Sequence, residues 1–430
     1  FLFLLLIGTP IAIIMALSGA AGSYMIGGER LMSIIADRMF AGVASYMLIA
    51  IPYFIFTAEL MNQGGLTQKL ITFNNALFGR IRGALSHVNV TVSIFFAGLT
   101  GAAITDTVAI GKILIPSMKE QGYDAEYAAA VTACSSIIGP IIPPSIVMVI
   151  YASLLRDVSV MDLFVGGIIP GLVMAAALLV ISFYLSWRRG YPKQGATPFK
   201  VAFTAFLAAL PALLVPLIIL GGILSGLTTI TEASGFAAVY TLLIGFLIYR
   251  NLTWRKVWAA LITTVRFSGM VFFLLAASAV LGWYVTRSGI AHDAAQMIVM
   301  VTDNAFLQLM LVAALLLLIG TVIDVLPALV VVAPLLVPAM TNLGFDPLHF
   351  AIFMIVTLNI ANVTPPVGMT LMVAAQIARI PYERAIVASL PFYLSYLAVI
   401  VLLATFPGLF ITGLCLSLIL VGDWLRDAFD

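Results

Sequence analysis

The sequence predicts an all-α polytopic membrane protein built from two inverted repeats, each with a re-entrant helical hairpin and a broken transmembrane helix. Three observations lead to this prediction: an apolar composition, a repeated pattern of proline and glycine, and an uneven distribution of basic residues among the loops. Of the 430 residues, 63% are hydrophobic and only 9% are charged, which is typical of a chain whose main solvent is lipid.

Apolar stretches near or above the roughly 20 residues that cross a bilayer recur along the chain. We expect helices there, because backbone groups in hydrocarbon must be paired within their own segment. The net charge of +2 and the absence of a dense basic run give no indication of a nucleic-acid partner. The apolar stretches are 1–18, 42–61, 160–187, 201–224, 228–249, 267–290 and 386–412.

A repeated segment divides the chain into two halves. Residues 116–144 match residues 338–366 without a gap, at an offset of 222 positions, with identical proline, glycine, aspartate and methionine residues. The first repeat is predicted at 1–190, with a hairpin at about 86–119 and a broken helix at about 124–156. A cytoplasmic linker follows at 191–200. The second repeat is predicted at 201–415, with a hairpin at about 305–341 and a broken helix at about 347–378, and a C-terminal tail follows at 416–430.

Basic residues indicate that the second repeat is inverted relative to the first. The segment 187–200, which includes the linker, carries Arg188, Arg189 and Lys193, which the positive-inside rule assigns to the cytoplasm. The loop before the first hairpin is also basic, whereas "SGIAHDAAQMIVMVTDNA" before the second contains no lysine or arginine. The two loops are therefore predicted on opposite sides, and inverted repeats with interrupted helices are the architecture of secondary transporters.

The paired prolines predict an interruption in each half. Proline has no N–H and clashes with the preceding turn, so Pro143 and Pro144 free the carbonyls four residues earlier. Carbonyl oxygens suit a hard cation such as Na⁺, and the paired prolines can begin the following half-helix. The alternative is that the prolines only kink two transmembrane helices. The carbonyls predicted to be free belong to Gly139, Pro140, Ala361 and Asn362.

Acidic residues stand out within the two predicted hairpins. Asp106 and Asp324 lie deep in apolar sequence, where an ionisable side chain is costly and marks a functional candidate. The alternative is that each braces its hairpin through local hydrogen bonds. We expect small residues at the hairpin tips to let backbone approach an ion, namely Thr100, Gly101, Ala102 and Gly320.

Two aspartates and three arginines outside the hairpins are also interpreted from their positions. Asp124 and Asp346 each follow a glycine turn, and both are predicted to cap a helix N-terminus. Arg30, Arg38 and Arg287 fall on the predicted outer face. These arginines either meet an anionic substrate or a partner protein, or are ordinary solvated loop charges.

Five motifs carry a resemblance to a known family: "AIPYFIFTAELMNQGGLT" (50–67), "GLTGAAITDTVAIGKILIPSM" (98–118), "IIGPIIPPSI" (137–146), "ITEASGFAAVY" (230–240) and "VTPPVG" (363–368). Nearly the whole chain resembles the large membrane subunit of the tripartite ATP-independent periplasmic (TRAP) transporters. The resemblance implies a Na⁺-driven elevator, in which the hairpins and broken helices move against a scaffold. It also implies an organic acid substrate such as a sialic acid, a C4-dicarboxylate or another sugar or keto acid, a periplasmic binding protein that delivers it, and a small membrane subunit, separate or fused.

The same resemblance implies positions for at least two Na⁺ ions. One ion site combines the first hairpin tip with the first break, at Gly98, Thr100, Gly101, Ala103, Gly139, Pro140 and Pro143. The other combines the second tip and break, at Gly320, Ala361, Thr364 and Val367. Predicted substrate contacts are Thr105, Asp106, Ser145, Asp324, Asn359, Asn362 and Gly368.

The sequence therefore predicts a multi-pass subunit of the bacterial inner membrane that imports an organic anion with Na⁺ and is not an enzyme. The nearest alternative is proton coupling through Asp106 or Asp324. A membrane enzyme is disfavoured because the sequence lacks a clustered acidic, histidine or Ser/Lys constellation. A passive channel is the third alternative, since a channel cannot accumulate its solute.

Overall fold

The computed structural model describes residues 1–28, 32–100, 102–155, 157–193, 195 and 197–407; the side chains of residues 2, 6, 27 and 96–100 lie outside the description. The described chain is helical and contains no β-strand. Helices of the first half are α1 (Leu2–Leu6), α2 (Ile11–Gly27), α3 (Ile34–Val43), α4 (Ala50–Gln63), α5 (Leu66–Phe78), α6 (Ala84–Thr100), α7 (Ala103–Glu120), α8 (Ala125–Ser136), α9 (Ile146–Leu154) and α10 (Val160–Arg188), with a 3₁₀ turn at Tyr46–Ile49.

The second half repeats the order of the hairpin, the interrupted helix and the long helix that follows it. Its helices are α11 (Phe199–Leu224), α12 (Ile230–Leu243) with a π-helical extension at Ile244–Ile248, α13 (Trp254–Ser288), α14 (Ile290–Val301), α15 (Ala305–Val322), α16 (Val325–Asn342), α17 (Pro347–Ala361), α18 (Met369–Ala378) and α19 (Tyr382–Thr405). Helices α7 and α16 begin and end 222 residues apart, and α8 and α17 begin at the same offset.

Seven described helices are long and apolar enough to cross a membrane: α10, α11, α12 with its extension, α13, α15, α16 and α19. The apolar run at 1–18 was expected to form one helix, but it is interrupted at Gly8, which has a φ of 81°, and α2 starts after Pro10. The run at 42–61 belongs to a pair of helices bent by 56°. The first of these breaks follows from glycine and proline, which hydropathy alone does not register, whereas the bend of the second falls at Ala44 and Ser45.

Two groups of helices divide the molecule. The peripheral group comprises α2, α3, α4, α11, α12 and α13, in which α13 packs against α2, α3 and α4. Glycines allow close approach there: a Cβ added at Gly22 would lie 2.5 Å from the Tyr284 ring, and one at Gly42 would lie 2.6 Å from the Ala279 Cβ. The central group comprises hairpin 1 (α6–α7), hairpin 2 (α15–α16), the interrupted helices α8–α9 and α17–α18, and the long helices α10 and α19.

The interrupted helices form the most buried part of the described structure. Every residue from Tyr127 to Ser136 in α8 and from His349 to Ala361 in α17 is buried. Helices of the second repeat pack against helices of the first: α18 packs against both α7 and α8, and α19 packs against α8. We call the segment 137–145 break 1 and the segment 362–368 break 2. Both breaks follow these buried helices, and each contains a cis peptide bond between its two prolines.

Candidate ion and substrate site

Hairpin 2 meets the last residue of α17, immediately before break 2, through a close backbone approach. A Cβ added at Gly320 would lie only 2.5 Å from the Cβ of Ala361. Gly320 was expected at the hairpin tip, but it lies in the last turn of α15, and the turn itself is formed by Ile323 and Asp324. The glycine is therefore needed for contact with α17 rather than for the reversal of the chain.

A hydrogen bond joins the turn of hairpin 2 to break 2. The Asn362 Nδ2 donates to Asp324 Oδ1 over 3.1 Å. Asp324 occupies the N-cap position of α16, yet its side chain makes no capping hydrogen bond. Two predicted substrate residues are thus in direct contact, and the Asp324 carboxylate braces the second hairpin against the break.

The carbonyls of break 2 already have donors within the protein. Tyr382 and Tyr393 donate through Oη to Val367 O and Val363 O, each at 2.6 Å. Asn362 O accepts from both the backbone N and the Oγ1 of Thr370. The backbone N of Thr364 donates to Ala361 O over 3.0 Å. Because a carbonyl has two lone pairs, the oxygens of Val363, Val367 and Ala361 each retain one further acceptor position. Asn362 O, which was predicted to be free, has both positions filled by Thr370.

Break 1 is closed by a different side chain. The Ser145 Oγ donates to Pro140 O and accepts from Met148 N, which makes Ser145 the N-cap of α9. Pro143 and Pro144 therefore do not begin the half-helix, and neither do their counterparts in break 2, where α18 starts after Gly368. That part of the prediction is wrong, because Ser145 and a left-handed Gly368 start the two half-helices.

Hairpin 1 places its aspartate in a fully buried position. Asp106 lies in the first turn of α7 with none of its surface exposed; the Ser93 hydroxyl faces its carboxylate, but neither carboxylate oxygen has a described donor within hydrogen-bond distance. Thr105 lines a cavity of about 50 Å³ together with Glu59 and Thr263 of the peripheral group. Of the residues predicted for the ion site, Gly101 lies outside the described part of the chain, and only the backbone is described at Gly98 and Thr100.

Orphaned oxygens are the main chemical feature of this region. Besides the two oxygens of Asp106, the Oδ1 atoms of Asn359 and Asn362 are buried and have no hydrogen-bond donor among the described residues. The Asn359 Nδ2 donates to Ile355 O and the Asn362 Nδ2 donates to Asp324, so both Oδ1 atoms are available as acceptors. A buried acceptor without a donor costs about 1–3 kcal/mol, unless a cation or a ligand donor fills the position.

A polar network between α6 and α8 was missed by sequence reasoning. The Asn89 Nδ2 donates to Thr132 Oγ1 over 2.6 Å, while the Ser135 Oγ donates to Asn89 Oδ1 and accepts from Ser93 Oγ. All four side chains are buried. The spacing of Asn89 and Ser93 by four residues, and of Thr132 and Ser135 by three, places each pair on one helix face and offered a signal for this network.

The predicted residues are therefore brought together most completely in the second repeat. Gly320 meets Ala361, Asp324 meets Asn362, and a Cβ added at Gly368 would lie 3.0 Å from Val363 O and 3.1 Å from Thr364 O. In the first repeat, both arms of hairpin 1 pack against α8, and Gly139, Pro140 and Pro143 are buried in break 1. Thr105 and Asp106 lie at the start of α7, beside the undescribed tip.

The fold and site define a polytopic helical transport protein with interrupted helices at its centre. Residues 1–409 match the family model described as the tripartite ATP-independent periplasmic transporter, DctM component. The chain belongs to this family, the large permease of TRAP transporters. It is a multi-pass protein of the bacterial inner membrane and not an enzyme.

Individual relatives support the same assignment. The chain is 36% identical to the sialic acid TRAP transporter large permease protein SiaM of Vibrio cholerae, over 86% of this chain and 87% of the relative. It is 32% identical to the 2,3-diketo-L-gulonate TRAP transporter large permease protein YiaN of Escherichia coli, over 95% of this chain and 96% of the relative. The fold is similar to the crystal structure of the YdaH transporter of Alcanivorax borkumensis, with a TM-score of 0.67, 16% identity, and 93% and 97% of the two chains covered.

Proposed function

We propose that this permease imports an organic acid together with Na⁺ ions, with the acid delivered by a periplasmic binding protein and the scaffold supported by a small membrane subunit, separate or fused. The proposal rests on one observation above others: next to the hairpins and breaks, buried oxygens of Asp106, Asn359 and Asn362 have no donor within hydrogen-bond distance in the described part of the chain. Oxygen atoms are the ligands that hard cations prefer. Two or more Na⁺ ions would fill these positions, aided by the second lone pairs of the break carbonyls.

The chemistry of the relatives' substrates supports an organic acid. Sialic acid and 2,3-diketo-L-gulonate, which the names of two relatives give as their substrates, each carry a carboxylate. A bound cation lowers the cost of holding such an anion in the membrane interior. Coupling is energetically sufficient, because each Na⁺ that moves inward through about 100 mV contributes about 2.3 kcal/mol. Two ions can therefore drive accumulation of a monoanion.

An elevator movement is the proposed conformational step. The central group contacts the peripheral group through small residues: Gly282 of α13 faces Pro334 of α16, where a Cβ added at Gly282 would lie 3.4 Å from the Pro334 Cβ. The Ser278 Oγ donates to Val330 O across the same contact. A surface with small side chains and few hydrogen bonds presents a low barrier to sliding, which supports movement of the central group as a unit.

Transport in reconstituted vesicles tests the proposal. The permease, its small subunit and the binding protein are incorporated into vesicles, after a thermal-shift screen of the binding protein against organic acids has identified a substrate. Uptake above equilibrium is expected only with an inward Na⁺ gradient. Equal uptake after Na⁺ is replaced by K⁺ would reject Na⁺ coupling, and failure to accumulate substrate would favour a channel.

Proton coupling is the second candidate, and the orphaned carboxylate of Asp106 favours it. A fully buried carboxyl group without a donor can carry a proton as well as face a cation. The two mechanisms differ in the variant Asp106→Asn, which cannot exchange a proton at this position. Retained Na⁺-dependent accumulation in this variant excludes Asp106 as the proton carrier, whereas uptake driven by a proton gradient in the parent and lost in the variant supports it.

A further inference from the structure

A large cavity separates the two helix groups at the predicted outer face. Its volume is about 630 Å³, and its walls come from α3, α13, the end of α9 and α16. Leu155, Thr286 and Pro338 line it, and each lies near the end of its helix that the positive-inside rule assigns to the outside. The volume falls within the range of about 300–1,000 Å³ typical of small-molecule sites.

Two arginines and a tryptophan form a cluster at this cavity. Arg38 of α3 and Trp283 of α13 line the cavity, with the Arg38 guanidinium carbon 5.6 Å from the centroid of the Trp283 ring. Arg287, one turn further along α13, approaches the same ring at 5.9 Å. We call Arg38, Trp283 and Arg287 the arginine–tryptophan cluster. The two cations are thus concentrated around one aromatic ring from two helices.

The charge of this cluster is not neutralised by the described residues. The described ion pairs join Arg189 to Asp124 and Arg384 to Glu126, and neither Arg38 nor Arg287 has a described carboxylate within ion-pair distance. Both arginine side chains are exposed. A cation–π contact holds a guanidinium beside an indole without using its N–H groups, which can then bind a carboxylate through two hydrogen bonds.

We propose that the arginine–tryptophan cluster is an outer binding site for the carboxylate of the transported acid, occupied before the acid reaches the breaks at the centre. This inference rests on the proposed import of an organic anion and adds a recognition site on the peripheral group. Hydroxyl groups of Ser45, Ser153 and Thr286 in the cavity wall supply hydrogen-bonding partners for the remainder of a sugar or keto acid. The site concentrates anions on the delivery side of the transporter.

Substrate uptake by the double variant Arg38→Gln/Arg287→Gln tests the outer site. The measurement is made at low ionic strength in vesicles of zwitterionic lipid only. We expect the KM for substrate-loaded binding protein to rise about three- to fivefold with little change in kcat, because the loss of exposed charge pairs has effects of this size. The increase should shrink at 0.5 M salt because screening shortens the reach of exposed charges. Arg38→Lys, which keeps the charge, should stay nearer to the parent.

Arg255→Gln is the matched control, because Arg255 is an exposed arginine at the opposite end of the same helix. It should leave the KM unchanged. An unchanged KM in the double variant would overturn the inference. So would an increase that appears only when anionic lipid is present, which would assign the cluster to a lipid headgroup. An equal loss of affinity for unloaded binding protein would assign it to protein docking instead, and would also overturn the inference.

A second measurement needs no transport and so separates this inference from the proposed function. The fluorescence of Trp283 is obtained by subtracting the signal of the Trp283→Phe variant from that of the parent. Its quenching is then measured with iodide, an anionic quencher, and with acrylamide, a neutral quencher. The ratio of iodide to acrylamide quenching should fall about threefold in the double variant, in line with the loss of two exposed charges. An unchanged ratio would overturn the outer site. Uptake that needs no Na⁺ would instead overturn the proposed coupling and leave this ratio unaffected.

Discussion

Break 1 and break 2 occupy equivalent positions in the two repeats, yet their surroundings differ. Break 1 is buried at every position except Ile142, which is half-buried, whereas in break 2 Pro366 is exposed and Thr364 and Val367 are half-buried. Break 1 is closed by Ser145, and break 2 is held by Tyr382 and Tyr393. The comparison teaches that proline and glycine determine where the helices stop, while neighbouring side chains determine which oxygens stay free and which are accessible.

The largest effect is expected from a substitution that adds a side-chain atom where hairpin 2 contacts the end of α17. Gly320→Ala would place a Cβ 2.5 Å from the Ala361 Cβ, which is closer than two carbon atoms can approach. Overpacking of this kind costs about 1–3 kcal/mol, and we expect a lower thermal unfolding midpoint in detergent and at least a tenfold higher half-saturating Na⁺ concentration for uptake.

The substitution Ala361→Gly supplies the matching rescue, because it removes the opposing Cβ and keeps the backbone carbonyl. The double variant Gly320→Ala/Ala361→Gly should recover most of the loss, as neighbouring residues are expected to couple. Gly269→Ala in α13 serves as the control, since no atom lies within 4 Å of the added Cβ. Wild-type Na⁺ dependence in Gly320→Ala would show that the close approach is irrelevant to the ion site.

The next largest effect should distinguish the two hairpin aspartates. Asp106 has two orphaned oxygens, whereas one oxygen of Asp324 accepts from Asn362. Asp106→Asn removes a negative charge that no described donor compensates, and we expect about a tenfold higher half-saturating Na⁺ concentration. Asp324→Asn should produce a smaller change, because the new amide oxygen can still accept from Asn362. Equal effects of the two substitutions would mean that the two aspartates contribute equally to Na⁺ binding although only Asp324 accepts a hydrogen bond from Asn362.

A smaller effect is expected from the hydroxyls that close the two breaks. Ser145→Ala removes both the donor to Pro140 O and the N-cap of α9, so it should lower the free energy of unfolding by about 1–2 kcal/mol. Thr370→Val should cost less than about 1 kcal/mol, because the backbone N of residue 370 still donates to Asn362 O. Thermal unfolding in detergent compares the two, and a larger loss for Thr370→Val would contradict this assignment of roles.

The positions of the turns and helix interruptions were predictable from the sequence because proline and glycine act on the local backbone conformation. The duplicated Gly122 and Gly344 both adopt positive φ before a helix, and the interruptions fall around the paired prolines. The partners of the carbonyls were not predictable. Tyr393 lies 30 residues from Val363 and Tyr396 lies 262 residues from Cys134, whose carbonyls they hold. Such pairings depend on how α19 packs against the interrupted helices, which no local pattern encodes.

The smallest predicted effect separates two aspartates at equivalent positions. Asp346 caps α17, with His349 N donating to its Oδ1 over 2.8 Å, as predicted. Asp124 also occupies its predicted N-cap position, at the start of α8, but its side chain makes no capping hydrogen bond: its carboxylate accepts from Arg189 over 2.9 Å and from Tyr191 Oη over 2.7 Å. Burial and the hydrogen bond to Asp124 raise the pKa of Tyr191, so its hydroxyl remains a donor at neutral pH.

Removal of these two carboxylates should therefore have unequal consequences. Asp346→Ala loses a helix cap and should lower the free energy of unfolding by about 1 kcal/mol. Asp124→Ala breaks an ion pair whose side chains are 35% and 55% exposed, and such pairs contribute between about 0 and 1 kcal/mol. Thermal unfolding in detergent at low and high salt distinguishes the mechanisms, because screening weakens the pair and leaves the cap. Salt-independent losses of equal size would mean that Asp124 acts as a cap after all.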